Sequence, residues 1–402
     1  MAAVLFPDKD RLVEHGSEFS VLSHIPIVLH PTGAVFTEAT DYLRDRALML
    51  WRAGRKKSPS AGSVRQTAYN LTNFLDWCGE MDLDWRGIER GHDASPKSLV
   101  GYARMMADGR WSDAGPIARN TIEARLAIAL DFLSYSAAAQ RKWRAPFDAA
   151  PILGYGRVSS SDRRYAVPTR VEVAAWLDRL RGETHPSQWL MTQMIFEAGL
   201  RREEAVALRA HQIPEPSAFS DGAYQHIEII YGTKGGRDPS DPDRKGKART
   251  VRVRTEFLER LHLHARNPRE RPASVATFRI AHPEGRVPDH LFLNPDTGLP
   301  YSLAQPNKLF QRAAPLPTTP WTPHMGRHFY ACWTLLELLQ EESHLATLRR
   351  GDLLPSTLKE FGHSSLLRLK QYLGHASEET TDIYLAWASE HLRINLVEED
   401  AR

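Results

Sequence analysis

Apolar side chains recur every three or four positions through most of residues 36–145, the spacing that places them on one buried face of a helix. Leu71, Phe74, Leu75 and Cys78 form one stripe, Leu99, Tyr102 and Met106 a second, and Ile122, Leu126, Ala129, Leu130 and Leu133 a third. Start signals precede them: Ser63 with Gln66, Ser95-Pro96, and Asn120 with Glu123. These stripes read as core and predict a helical domain over 36–145. Residues 1–35 read as an N-terminal arm with one apolar stretch, Ile25–Leu29, to which packing is the only role assigned. Pro146, Pro151, Gly154, Gly156 and the serines at 159–161 break all periodicity, so 146–168 reads as a linker.

A second domain is expected over 169–390, followed by a short acidic tail at 391–402. Thr169 and Glu172 have capping-box spacing, and the helical pattern runs on to Gly199, a natural stop. The period then changes. His226–Tyr231 and Arg249–Val253 alternate or carry β-branched residues, so they predict two strands joined by a Gly/Asp/Pro-rich connection. From Leu303 onward helical spacing returns. The expected fold class is mostly α with one small β hairpin or sheet: a helical domain, then a mixed α/β domain.

Composition narrows the class. The 402 residues are 42% hydrophobic and 25% charged, with a mean hydropathy of −0.44. No apolar run approaches the ~18 residues of a membrane span, and the first residues lack the basic start of a secretory signal. Two cysteines, Cys78 and Cys332, exclude a disulfide scaffold and a cysteine-based zinc cluster, so a reduced, cytoplasmic location is expected. The net charge of +3 says little, but its distribution says more. Residues 227–254 carry eight basic side chains against four acidic ones, and residues 36–145 carry 17 against 13. Such clustering suits a phosphate-facing surface, and it equally suits a solvated one.

The candidate chemistry lies in the second half. Arg201 and Glu204 fall in Gly199-Leu-Arg-Arg-Glu-Glu, at a helix start. His324 and Arg327 stand three apart in His324-Met-Gly-Arg-His328, on one helical face. Leu373-Gly-His375 precedes Tyr384 by nine positions, and Lys234 follows the first strand. This set suits attack on a phosphodiester. Preorganised cationic donors stabilise charge that develops on the non-bridging oxygens, and a guanidinium presents a planar fork to two of them. A tyrosine serves as nucleophile once its proton, of pKa ~10, is removed. The departing 5′-oxygen takes a proton from an amine of lowered pKa. The scheme needs no metal and no cofactor. Each piece alone is weak, since an Arg–Glu pair is commonly a surface pair and a tyrosine commonly core.

In this order and combination the pieces resemble the tyrosine recombinases, the phage-integrase family. The resemblance spans 169–390 and implies a catalytic domain in which Arg201, Lys234, His324, Arg327, His375 and Tyr384 act, with Glu204 in support. It also implies that 36–145 is a core-binding domain, and that the two domains grip double-stranded DNA from opposite faces. Tyr384 would leave a 3′-phosphotyrosine and a free 5′-hydroxyl, and exchange would occur in a homotetramer on two DNA sites, with accessory DNA-bending proteins as further partners. The implied function is site-specific recombination or integration for a phage or mobile element. A type IB topoisomerase, a chromosome-dimer resolvase, a metal-dependent transposase and a non-catalytic DNA-binding regulator are the alternatives.

Arg237, Lys245, Lys247 and Arg249 are expected to face DNA from the hairpin. The hairpin connection is longer than is usual in the family, so Lys245 and Lys247 compete with Lys234 as the amine; Lys234 is preferred because it follows the strand directly. A second Gly-His box, Phe361-Gly-His363, precedes Tyr372 by nine positions. The later box is preferred because Leu373 and the Thr380-Thr381 pair accompany it, whereas Tyr372 falls in an apolar helix. The interval from Arg327 to His375 then implies an insertion near 340–363.

Overall fold

The computed structural model describes residues 2–51, 59–88, 95, 97–112, 115–140, 167–233, 245–342, 353–375 and 379–400. The chain divides into two compact units, Met1–Arg157 and Val158–Arg402.

In the first unit, α2 (Thr37–Ala47), α3 (Ala61–Glu80), α4 (Leu99–Ala107) and α5 (Arg119–Gln140) pack around Tyr42, Leu71, Phe74, Trp77, Tyr102, Phe132 and Leu133, all fully buried. The three stripes read from the sequence supply about half of this core; Tyr42, Trp77 and Phe132 belong to none of them. The start signals were only approximate. Ser60, not Ser63, caps α3, accepting the Ser63 N–H at 3.2 Å. Ser98 caps α4, accepting from Gly101 at 3.1 Å, and Pro96 lies outside the described residues. Asn120 falls inside α5, where Arg119 pairs with Glu123 at 3.2 Å. The stretch read as an arm is built into this unit. β1 (Ala3–Leu5) pairs antiparallel with β2 (Ile27–Leu29), α1 (Lys9–His15) lies between them in sequence, and Val28 is fully buried in the core.

The second unit opens with α6 (Arg170–Glu183), whose Thr169–Glu172 capping box is formed. A break at Thr184–His185 and Pro186 at the first helical position then start α7 (Pro186–Ala198). After the short α8 (Arg202–Ala207), β3 (Tyr224–Tyr231) and β4 (Lys245–Arg254) form a two-stranded antiparallel sheet with Ile227 opposite Val251 and Ile229 opposite Arg249. Alternation puts Ile227, Ile229, Val251 and Val253 on its inward face. Next come α9 (Thr255–Arg266), α10 (Arg271–Ala281), α11 (Gln305–Phe310) and α12 (Pro323–Gln340).

Helix α12 is the axis of this unit. Gly326 abuts Ile195, Phe196 and Phe310 of one core, while Tyr330, Leu335 and Leu339 enter a second. That second core holds α13 (Pro355–Phe361), α14 (His363–Leu373) and the start of α16 (Leu385–Asp400), with α15 (Glu379–Asp382) between. The expected acidic tail is thus a correction: residues 391–400 continue α16. Of the expected 340–363 insertion, 343–352 lie outside the described residues; Leu358 is fully buried on α13. No described helix is long and apolar enough to cross a membrane.

Candidate active site

Three segments far apart in sequence converge at the first turn of α12. Gly199 ends α7 in a left-handed conformation, and its carbonyl accepts Arg327 Nη1 at 2.5 Å. The chain then enters α8 at Arg201, whose backbone N–H donates to Glu204 Oε2 at 2.7 Å and whose Nη1 donates to Glu204 Oε1 at 2.9 Å. Glu204 is completely buried.

The third segment is the end of α14. Gly374 (φ +61°) terminates it, as only a residue without Cβ does readily. The terminal carbonyls, unpaired within the helix, accept guanidinium groups instead. Leu373 O takes both Arg327 Nη2 and Arg201 Nη2, the latter at 3.4 Å. Tyr372 O takes Arg249 Nη1. The negative end of the helix dipole thereby helps to hold three cations.

Arg249 corrects the sequence reading. Expected on a DNA-facing surface, it is buried, with Nη2 on Glu204 Oε2 at 2.5 Å. The reason lies in strand period: Arg249 shares the inward face of β4 with Val251 and Val253, and that alternation was readable in the sequence. Lys247 is exposed on β4. Lys234, Arg237 and the Lys245 side chain lie outside the described residues.

Three guanidinium groups, Arg201, Arg249 and Arg327, share the single carboxylate of Glu204, with Arg327 Nη1 at 4.0 Å from it. Burial opposes ionisation of Glu204, but the charge and hydrogen bond of Arg249, followed by Arg201, hold its pKa below the usual value. Burial, then the charges of Arg201 and Arg249, lowers Arg327 to about 9, so it stays cationic at neutral pH. Among the described residues, the cluster therefore carries a surplus of positive charge.

The histidines do not add to that surplus. Burial, then Arg327, Arg201 and Arg249, lowers the pKa of His375 to about 3. His328 falls to about 3 through burial and then His324, Arg327 and His375. Both are neutral at pH 7. His375 lies with Nδ1 3.1 Å from Thr381 Oγ1 and its ring stacked on that of Tyr384, centroids 6.4 Å apart. Tyr384 is 1% exposed, its hydroxyl 2.9 Å from His328 Nδ1. His324 is exposed on the first turn of α12, its ring 4.2 Å from that of His328.

The structure thus brings together Arg201, Glu204, His324, Arg327, His375 and Tyr384. It adds two residues that the motif reading did not place in the site. One is Arg249; the other is His328, whose position four after His324 on one helix was the available signal. Tyr372 belongs elsewhere: its hydroxyl lies 3.4 Å from His226 Nε2, against β3, and His363 is exposed at the far end of α14.

No protein-family model matches the sequence, and no curated protein matches it. Solved structures do. The XerH site-specific recombinase bound to difH substrate, in a pre-cleavage complex, is similar over 87% of this chain and 91% of that one, with a TM-score of 0.50 at 15% identity. The post-cleavage complex of XerH with palindromic difH substrate covers 90% and 87% (TM-score 0.48, 17% identity). The Tn1549 transposon integrase with transposon right end DNA covers 89% and 99% (TM-score 0.48, 13% identity). The chain has the fold of the tyrosine recombinases.

Proposed function

We propose that this protein is a site-specific DNA recombinase or integrase of a phage or other mobile element, which cuts and rejoins strands through a 3′-phosphotyrosine. The observation that carries the reading is a tyrosine hydroxyl hydrogen-bonded to a neutral histidine on the same helix as Arg327, which forms a guanidinium pair with Arg201 on one backbone carbonyl. That pair has more positive charge than its single carboxylate balances. A scissile phosphate in this place would lay its non-bridging oxygens on Arg201 and Arg327, with His375 as a further donor. Tyr384 gives up its phenolic proton to water, its oxygen bonds to phosphorus as the bond to the 5′-oxygen breaks, and that oxygen takes a proton from Lys234, or from Lys245 or Lys247. With a conjugate-acid pKa of about 3, His328 is too weak a base to drive ionisation and instead orients the hydroxyl. Stabilisation of the phenolate falls to the arginines. Residues 36–145 would provide further DNA contacts, and the working assembly would be a tetramer on two sites.

The test is covalent trapping. Protein is mixed with nicked duplex from around its own gene in EDTA and scored for an SDS-resistant adduct. Wild type and Tyr372→Phe are expected to form it, and Tyr384→Phe to form none while still shifting the DNA in a gel. An adduct lost only in Tyr372→Phe would move the nucleophile to the other box. DNA binding by wild type without any adduct would overturn the phosphotyrosine reading. Joining of two duplexes, as opposed to relaxation of one supercoiled circle, separates recombinase from topoisomerase.

A further inference from the structure

The β3–β4 hairpin touches the arginine site at two places, and one of them is Arg249. This side chain spans from strand to helix end: Nη2 meets Glu204 Oε2 at 2.5 Å, Nη1 meets the Tyr372 carbonyl, and its aliphatic stem covers Gly374, where a Cβ would come within 2.7 Å of Arg249 Cδ. The second place is Gly232 at the end of β3, packed so closely on the 203–204 peptide that a Cβ would lie 2.5 Å from the Glu203 carbonyl oxygen.

The geometry around Glu204 shows what Arg249 prevents. Glu204 Oε1 is taken by Arg201, and Oε2 by the Arg201 N–H and by Arg249. Arg327 Nη1 waits 4.0 Å from that same Oε2, turned instead to the Gly199 carbonyl. With Arg249 gone, a fully buried carboxylate loses its strongest charge partner, and among the described residues the nearest replacement is Arg327. Arg327 would then close on Glu204 and leave the Gly199 and Leu373 carbonyls that aim it.

We propose that Arg249 is a positioning residue for the reaction inferred above, on which this proposal rests. By saturating Glu204 and fixing the end of α14, it keeps Arg201 and Arg327 aimed at the oxyanion instead of at the carboxylate. It touches no reacting atom itself. A residue that only stabilised the fold would slow every substrate alike; one that aims two cations at a phosphate matters in proportion to the charge on that phosphate.

The experiment uses the full chain with Arg249→Met, which keeps most of the stem, and Arg249→Lys, which keeps the charge without the fork. Single-turnover adduct formation is measured on two duplexes, one with the natural scissile phosphodiester and one with an uncharged methylphosphonate there. Arg249→Met is expected to bind DNA like wild type and to lose about 10- to 100-fold in rate on the phosphodiester. On the methylphosphonate it should lose only a small part of that, with Arg249→Lys intermediate on the phosphodiester. Equal losses on both substrates, or none on either, would overturn the proposal. If circular dichroism shows Arg249→Met unfolded, the same comparison is decided on Arg249→Lys. A wild type that forms no adduct with either duplex would overturn the phosphodiester reading itself, a result distinct from an indifferent Arg249.

Discussion

Within the second unit, the arginine site has a counterpart a few helices away. There Ser187 of α7, His264 of α9, Glu270 and Arg260 form a buried chain: His264 Nε2 lies 3.3 Å from Ser187 Oγ, His264 Nδ1 lies 2.6 Å from Glu270 Oε2, and Arg260 Nη2 reaches both Glu270 oxygens at 2.9 and 3.0 Å. By distance alone it has the order of a serine–histidine–carboxylate triad. Yet Ser187 and His264 are completely buried, and one guanidinium meets one carboxylate beside a histidine whose pKa burial lowers to about 4. That network is electrically closed. The Glu204 cluster is open, with three guanidinium groups on one carboxylate, a surplus that folding alone would not favour. Charge balance, more than the residue types, distinguishes a group that awaits an anion from one that is complete.

Four measurements sharpen or break this contrast. The largest effect is expected from Arg327→Ala, which should slow adduct formation by about 10²–10³-fold, the loss typical of one oxyanion donor. Ser187→Ala, scored per folded molecule, should leave the rate unchanged; a comparable loss there would end the distinction. Next comes pH. Unfolded His264 titrates near 6.5 and folded His264 at about 4, so between those values only the unfolded chain takes up the proton. Stability should therefore be intact above pH 6.5 and fall as pH drops toward 4, by up to ~3 kcal/mol from this residue. His328 and His375, each held at about 3, add losses of the same sign, so urea midpoints at pH 7 and pH 5 read the sum, and His264→Gln should remove only the His264 share.

A smaller effect is expected from Glu270→Gln, which weakens the bonds to Arg260 and His264 and should cost about 2 kcal/mol in urea while sparing DNA cleavage. The smallest belongs to the open cluster. Sulfate should raise the melting temperature of wild type by about 2 °C more than that of Arg327→Met; equal shifts would mean that the surplus charge binds no anion.

The helical stripes, the Thr169 cap and the two strands were legible because each is local, set by periods of 3.6 and 2. The site residues were legible as types at fixed short spacings, but their convergence was not: Arg201 and Leu373 meet across 172 positions. Arg249 was misread because charge was weighed ahead of strand period, although Val251 and Val253 already marked its face as inward. The placement of residues 1–35 was hidden for another reason, since strands of three residues such as Ile27–Leu29 carry too short a pattern to announce a partner at Ala3–Leu5.

The carbonyls of Tyr372 and Leu373 have a consequence for genetics. Apart from the Glu204 carboxylate, the acceptors that hold the three arginines at this helix end are main-chain atoms, identical whatever side chains stand at 372 and 373. An alanine scan would therefore register both positions as apolar packing and pass over their electrostatic role. Backbone chemistry is needed to expose it: an ester in place of the amide between Leu373 and Gly374 would weaken that carbonyl as an acceptor while leaving every side chain intact.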